Sequence, residues 1–147
     1  MSLTFSFPKE LFDRPIDILA IGSLVLEQVI QVERWPQCGD QDTTPISSLT
    51  FSPGGCAMNV SVACTRLGGK SALVSAIGTG KFSYDIQVEL AKSGVNTDFL
   101  HRISGRDGNL IIILSDSRGD WTVMDYIDPE IRLRKEDIPP ADFFSQA

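Results

Sequence analysis

The spacing of hydrophobic residues changes several times along the chain, and each change marks a predicted element. Residues 16–23 (IDILAIGS) form a short, mostly apolar run that ends in Gly and Ser, which predicts a buried strand followed by a loop. Residues 28–36 alternate between apolar and polar side chains, and residues 46–51 form a second strand after a polar turn. Together, residues 28–51 predict an antiparallel hairpin with a weak core of its own that includes Trp35.

A helical period begins at Ala57. The segment is amphipathic, and two glycines close it; one of its faces carries Val60, Ala63, Cys64 and Leu67. Residues 71–78 (SALVSAIG) predict another buried strand between glycines. Residues 83–94 predict a second helix, because polar residues lie near its start, a lysine lies near its end and a glycine follows.

The remaining pattern predicts a second pair of strands. Residues 110–116 and 121–126 read as two strands joined by a turn (SRGD), whereas residues 95–109 are expected to be a linker. The order strand, hairpin, helix, strand, helix, hairpin is typical of an α/β fold. We therefore expect a mixed sheet flanked by helices, with a small antiparallel β flap at residues 28–51.

Composition and charge narrow the classes of partner. The 147 residues are 42% hydrophobic and 22% charged, which is typical of one domain with a hydrophobic core. The net charge of −6, without any Lys/Arg block, argues against nucleic acid or an anionic membrane surface as the main partner. The longest apolar run, residues 110–114, is too short to cross a bilayer, and the N-terminus has no secretory pattern.

The cysteines indicate a compartment. Cys38, Cys56 and Cys64 form neither a CxxC pair nor a zinc-binding pattern with histidine. An odd and sparse set of thiols is typical of a reducing environment. We therefore expect a cytoplasmic protein.

Two common phosphate-binding signatures are excluded. A P-loop needs a glycine five residues before Gly-Lys-Ser, but Cys64 occupies that position ahead of Gly69. The GTG of residues 78–80 follows a strand, as in a dinucleotide fingerprint, but Ser83 stands where the third glycine is required.

The glycine turn formed by Gly54 and Gly55 opens directly into the first helix. Glycines allow a bound group to approach the backbone closely, and the helix that follows directs unpaired N–H groups toward it. Asn59 offers both a donor and an acceptor, which suits a hydroxyl group and therefore a hydroxyl-rich ligand such as a sugar or a riboside. The alternative is an ordinary helix start with a solvent-facing Asn.

The stretch GGCAMNVSVACTRLG resembles the N-terminal signature of the PfkB, or ribokinase-like, carbohydrate kinases. The signature consists of a Gly pair, spaced small residues, an Asn and a closing Leu-Gly, matched here at Gly54, Gly55, Ala57, Asn59, Ser61, Ala63, Leu67 and Gly68. The run at residues 16–23 resembles the first core strand of the family, and residues 28–51 resemble the flap that covers the sugar and often builds the dimer. The resemblance covers residues 16–145, about the first half of a family member.

The resemblance implies roles for residues of the glycine turn and of the helix. Gly54 and Gly55 would form the floor against which sugar hydroxyls lie, and Asn59 would hydrogen-bond one of them. The acid that the family places after its first strand corresponds to Glu27 here, where the family usually has Asp.

Two further positions follow from the same resemblance. Val25 occupies a position where some sugar-kinase relatives carry Asn, which implies that one polar contact is missing. Asn109, at the start of the strand at residues 110–116, lies near positions that contact substrate in relatives.

Catalysis in the family depends on a later GAGD segment, whose backbone N–H groups stabilise the transferring phosphoryl group and whose Asp is the base. ATP and Mg²⁺ also bind mainly to that later half. No GAGD occurs in the 147 residues. The resemblance thus implies no catalytic residue and no metal ligand here. We expect residues 16–147 to be the N-terminal part of a kinase domain after a lead-in at residues 1–15, and to be inactive alone.

The predicted function is therefore ATP-dependent phosphoryl transfer to a hydroxyl of a sugar or nucleoside, with this chain carrying the substrate-binding half. The alternative is a non-catalytic module that binds a sugar or nucleoside, or that serves mainly in dimerisation. A small molecule is the expected partner, with a homodimer through the flap and with neither nucleic acid nor membrane. The sequence does not indicate which sugar or nucleoside is the substrate.

Other conspicuous residues are expected to be structural or solvated. The only histidine, His101, is expected in a solvated loop. Trp35 and Trp121 are expected to pack, as aromatic side chains on strands usually do. Three acids near the second hairpin tip are expected to be solvated rather than metal-binding: Asp116, Asp120 and Asp125.

Overall fold

The computed structural model describes residues 13–39 and 42–147, so most of the predicted lead-in at residues 1–15 lies outside the described residues. Seven strands and two long helices are found in this part of the chain, with a 3-10 turn and a short helix after them. Their bounds are β1 Ile18–Ile21, β2 Val25–Val32, β3 Ile46–Gly54, α1 Cys56–Arg66, β4 Ser71–Gly78, α2 Lys81–Ser93, β5 Asn96–Ile103, β6 Leu110–Asp116, β7 Trp121–Tyr126, the 3-10 turn Lys135–Asp137 and α3 Ala141–Phe144.

The first sheet is parallel and contains three strands in the order β1-β4-β5. The central strand, β4, is buried along its whole length, as expected for a strand covered on both faces. Residues of α1 and α2 pack with Ala20, Leu73 and Ile77 of this sheet in the larger apolar cluster. On the other face, Phe143 of α3 packs with Ala72, and its ring centroid lies 4.3 Å from that of Phe99.

The second sheet is the flap, and it is larger than the predicted hairpin. Its order is β3-β2-β6-β7: β2 pairs in antiparallel fashion with β3 and in parallel fashion with β6, and β7 pairs in antiparallel fashion with β6. The second predicted hairpin thus completes the flap, because the free edge of β2 accepts β6. The expected α/β class, with a mixed arrangement of strands and flanking helices, is confirmed.

The prediction of a linker at residues 95–109 was wrong, because Asn96–Ile103 is a strand that pairs with β4. Most of its side chains are polar or only partly buried, and Leu100 alone is buried. A strand at the edge of a sheet needs few apolar positions, so its hydrophobic pattern was weak. His101 lies on this strand, about half-exposed, with Nδ1 3.3 Å from Oδ1 of Asp137.

The face on which α1 packs also differs from the one that its spacing suggested. Of the four residues on the predicted face, Cys64 is buried, but Val60, Ala63 and Leu67 are exposed. Met58 and Val62 are buried against the rest of the core instead. The reason is tertiary, since α1 is covered by the parallel sheet and by α2 on the side that carries Met58.

No helix among the described residues is long and apolar enough to cross a membrane.

Trp121 does not pack as predicted, since it is 68% exposed on β7. Strand β7 is an edge strand of the flap, and its six residues are all exposed, so no described element covers either face of the flap at this strand. Trp35, at the tip of the flap, is half-buried.

Asp116, which ends β6, is only 5% exposed, so the prediction of a solvated turn acid was wrong. Its carboxylate accepts hydrogen bonds from the backbone N–H groups of Arg118 and Asp120, at 2.9 and 3.1 Å, and Nε of Arg118 lies 3.0 Å from Oδ2. Burial raises the pKa of this carboxyl, but the hydrogen bond from the Arg118 side chain, the two backbone N–H groups and the guanidinium charge lower it by more. The pKa of Asp116 therefore lies below its ordinary value.

Replacing Asp116 by Asn is expected to lower the melting temperature at pH 7, because an amide cannot match these charge-assisted bonds. Since the pKa is lowered by folding, the contribution is present above the ordinary Asp pKa of about 3.9 and is lost as the pH falls through the folded-state pKa. Melting curves of both proteins between acid and neutral pH would show the gap closing at the acid end.

The matched control is Asp120→Asn, because the Asp120 carboxylate is 66% exposed and its ion pair within the described part of the chain is with Arg118, at 3.4 Å. Exposed pairs contribute little to stability, so this variant is expected to melt nearly like the parent at every pH. Equal losses from both variants would contradict the role given to Asp116.

Candidate functional site

The glycine turn connects β3 to α1 and lies against the loop that follows β1. Gly55 has a φ of +104°, a conformation that other residues rarely adopt. A Cβ atom at Gly55 would lie 2.5 Å from the carbonyl oxygen of Ser23 and 3.2 Å from Cα of Leu24. The second glycine is therefore required by backbone conformation and by the close approach of two backbones.

The first glycine is required by Glu27. Gly54 pairs with Val25 and Glu27 pairs with Ser52, so the Glu27 side chain and Gly54 share one face of the flap. A Cβ atom at Gly54 would lie 2.6 Å from Cδ of Glu27 and 3.2 Å from Cγ. The Glu27 carboxyl thus lies directly over Gly54, and the structure brings together three of the residues that the sequence singled out.

Asn59 lies in the first turns of α1, where its N–H donates to the Gly55 carbonyl over 2.9 Å. Its side chain is exposed and makes no hydrogen bond within the described part of the chain, so both ends of the amide are available. It lies in a cleft of about 630 Å³ between the end of β3, α1 and α2, lined by Ser52, Pro53, Met58, Asn59, Val62, Ala63, Arg66, Leu67 and Glu89. The N-terminus of α1 has no side-chain cap, which leaves its first N–H groups without a side-chain acceptor.

Asn109 is brought to the same loop, but its amide is already engaged. It is 4% exposed; its Nδ2 donates to the Leu24 carbonyl at 3.3 Å, and its Oδ1 accepts from the Asp128 N–H at 3.0 Å. Its own carbonyl accepts from the Leu26 N–H at 2.9 Å. These contacts hold the base of the flap to the loop after β1, and substrate contact by Asn109 stays a prediction.

A second cleft lies at the carboxyl ends of β1 and β4 and was not found from the sequence. Its volume is about 290 Å³, and its walls are Gly22, Ser23, Ser75, Ala76, Asn109, Ile131, Arg132 and Leu133. Ligands of open α/β sheets usually bind at the carboxyl ends of parallel strands. No local motif marks this cleft, because its walls come from four separate parts of the chain.

The loop at residues 104–109 is a further feature that the sequence did not reveal. The Arg106 carbonyl accepts the N–H groups of Thr79 and Gly80 at 3.0 and 2.8 Å, and the Asp107 carbonyl accepts the N–H of Ser83 at 3.0 Å. This loop therefore orders the start of α2, although the glycine-rich GTGK segment there carries no acidic residue of its own.

Among residues 13–39 and 42–147, no group of three or more His, Cys, Asp or Glu is placed to hold a metal ion.

Comparison with known proteins supports the resemblance found in the signature. The sequence is 29% identical over 90 residues to a fructokinase of Klebsiella pneumoniae, covering 60% of this chain and 29% of that protein. It is 28% identical over 126 residues to the ribokinase of Bacillus subtilis, covering 85% of this chain and 40% of that protein. The fructokinase structure from Xylella fastidiosa superposes with a TM-score of 0.66 at 26% identity, covering 86% of this chain and 37% of that one.

The chain spans between 29% and 40% of the length of these relatives. The sequence model described as "pfkB family carbohydrate kinase" matches residues 16–144, which is most of the chain. This match agrees with the resemblance at residues 54–68 and with the ribokinase-like arrangement of strands and helices. The chain therefore belongs to the pfkB family of carbohydrate kinases.

Proposed function

We propose that this chain supplies the substrate-binding part of an ATP-dependent kinase that phosphorylates a hydroxyl group of a sugar or nucleoside. The observation that carries the proposal is the placement of the Glu27 carboxyl over Gly54, beside the start of α1, with the Asn59 amide available on that helix. Membership in a family of carbohydrate kinases supports the same class of substrate.

The chemistry of these groups suits a polyol. A carboxylate accepts hydrogen bonds from two neighbouring hydroxyls, and an amide both donates and accepts, as a hydroxyl does. Gly54 has no side chain, so the Glu27 carboxyl can lie against the backbone of the glycine turn, and the Ser23 backbone lies against Gly55 in the same way. In this proposal Glu27 and Asn59 orient the substrate, and Gly54 and Gly55 hold Glu27 and the start of α1 in position beside it. Val25 is buried and offers the substrate no polar contact.

Phosphoryl transfer itself is assigned to residues outside this chain. The transfer needs groups that position the nucleotide and neutralise the charge on its phosphates, commonly with Mg²⁺. The sequence contains no GAGD segment, so we propose that ATP and Mg²⁺ bind mainly to residues outside this chain. We therefore derive no chemical step from the residues of this chain, and we propose that it is inactive alone.

We also propose that the flap joins two copies of the chain. One of its faces, the Phe51 face, is largely apolar, although Gln28 and Thr122 also lie on it. Its apolar residues include Ile30, Leu49, Phe51, Ile112, Leu114, Met124 and Tyr126. Phe51, Met124 and Tyr126 are each at least half exposed. Large exposed apolar patches usually mark interfaces, and this face would otherwise meet water. The same feature favours the second candidate function, a non-catalytic binding or dimerisation module.

Replacing Asn59 by Ala is expected to weaken binding of the preferred sugar or nucleoside about tenfold, because one or two hydrogen bonds to a hydroxyl are lost. Glu27→Gln is expected to weaken it similarly, since the charge-assisted bonds become neutral ones. Isothermal titration with D-ribose, D-fructose and adenosine would identify the ligand in the parent protein and measure both losses.

The control for this titration is Lys92→Ala, an exposed position near the end of α2 that lines neither cleft. It should bind like the parent. Unchanged binding by both Asn59→Ala and Glu27→Gln, or binding by none of the three compounds, would exclude the proposed site.

The chain alone, supplied with ATP, Mg²⁺ and the ligand identified by titration, is expected to release no ADP above background. The reason is that the sequence contains no GAGD segment, to which we assign the stabilisation of the transferring phosphoryl group. A coupled ADP assay, run beside the Bacillus subtilis ribokinase as a positive control, makes the measurement. Turnover that Asn59→Ala abolishes would show that the chain is catalytically sufficient.

In solution, the chain is expected to have a mass of about 32 kDa by light scattering, which is twice 16.1 kDa. Phe51→Gln should raise the dissociation constant of the dimer at least about tenfold, because it removes an apolar side chain from the interface. Val123→Gln is the matched control, since Val123 is 45% exposed but pairs with Ile113 on the opposite face. A monomeric parent, or equal effects of both variants, would contradict the proposed interface.

A further inference from the structure

The cleft at the carboxyl ends of β1 and β4 has an unusual balance of polar groups. Its walls include the backbone of Gly22 and the apolar side chains of Ala76, Ile131 and Leu133. Among the described residues that line it, none is acidic and Arg132 alone is charged. A volume of about 290 Å³ corresponds to about ten water molecules, which is room for a small polar group rather than for a nucleotide.

Most polar groups in this cleft are already paired. The hydroxyl of Ser75 donates to the Gly22 carbonyl. The Asn109 amide bonds at one end to the Leu24 carbonyl and at the other to the Asp128 N–H. Within the described part of the chain, the Ser23 hydroxyl and the Arg132 guanidinium remain without hydrogen-bond partners. The groups available to a ligand are therefore one hydroxyl and one cation.

In the loop after β7, the two acids form ion pairs with arginines other than Arg132. Asp128 pairs with Arg106, and Glu130 pairs with Arg134, each at 3.5 Å. Each acid of this loop therefore has its own arginine, whereas Arg132, between the two pairs, makes no ion pair with the residues described here. In a chain with a net charge of −6, an arginine left unneutralised beside a cleft is a position where an anion would be favoured.

We propose that this cleft binds an oxyanion, with Arg132 as its cation and the Ser23 hydroxyl as a second donor. A guanidinium offers five N–H donors and no acceptor, in a planar arrangement that matches two oxygens of a carboxylate or a phosphoryl group. The oxyanion is either a carboxylate of the sugar substrate or a phosphoryl group beside it. The inference rests on the proposed function for its choice of ligand, but the anion site stands on the contacts of this cleft.

Three probes separate the two sources of the oxyanion: D-gluconate, the uncharged polyol D-glucitol, and inorganic phosphate. Titration calorimetry on the complete chain is expected to show binding of phosphate or gluconate that weakens as salt is raised, because salt screens a partly exposed charge pair. Arg132→Gln should weaken that binding about tenfold or more. Arg134→Gln is the matched control, since Arg134 pairs with Glu130 and does not line the cleft.

The pattern of affinities assigns the source. Gluconate bound more tightly than both glucitol and phosphate indicates a substrate carboxylate, whereas phosphate bound more tightly than gluconate indicates the phosphoryl group. Arg132→Lys, which keeps the charge but loses the planar pair of donors, is expected to bind with intermediate affinity. Melting temperatures of all variants would verify that each one is folded.

Two outcomes would overturn the inference: no binding of either anion, or anion binding that is the same in the parent and in Arg132→Gln. The proposed function and the anion site can be told apart, because different results would contradict each of them. If neutral sugars and nucleosides bind and require Asn59 while anions do not bind, then the anion site alone is wrong. If phosphate binds through Arg132 while no sugar or nucleoside binds, then the substrate assignment is wrong and the anion site stands.

Discussion

The rest of the structure depends on how closely the glycine turn approaches the loop that follows β1. At Gly55 a side chain would meet the Ser23 carbonyl oxygen, and the backbone adopts a φ of +104° that favours glycine. Because α1 begins at this turn, the contact sets where the N-terminus of the helix lies relative to the end of β1. The helix then packs over β1 and β4, so its position on the parallel sheet follows from the approach of two backbones.

The same region joins the two sheets. Strand β2 starts only four residues after the end of β1, and Asn109 ties its first residues to the start of β6 through the Leu24 carbonyl and the Leu26 N–H. The base of the flap is therefore held by buried hydrogen bonds, whereas its tip extends away from the core. Glu27 lies on β2, shortly after this base. Ser23 lies in the loop that precedes β2, where it lines the cleft together with Arg132. The short segment from the end of β1 to the first residues of β2 therefore positions polar groups of both candidate sites.

The parts of the fold that the sequence predicted well have strong local signals. The bounds predicted for β4, β6 and β7 are the observed ones, because buried strands and tight hairpins are marked by apolar runs between turn residues. Strand β5 was missed because an edge strand carries mostly polar side chains. The buried face of α1 was predicted wrongly because the helix has two apolar stripes. The stripe with Met58 and Val62 is buried because it packs with residues of the parallel sheet and of α2.

The sequence by itself determined the α/β class, the order of most elements, the glycine turn with Asn59, and membership in the pfkB family, since each depends on residues close together along the chain. Only the tertiary structure decided that β6 and β7 join the flap, that Glu27 lies over Gly54 and that Asp116 is buried. It also decided that the described acids of the loop after β7 pair with Arg106 and Arg134 rather than with Arg132. Local periodicity is set by neighbours in the chain. Strand pairing, burial and charge neutralisation depend on residues that are distant in sequence and meet only when the chain folds.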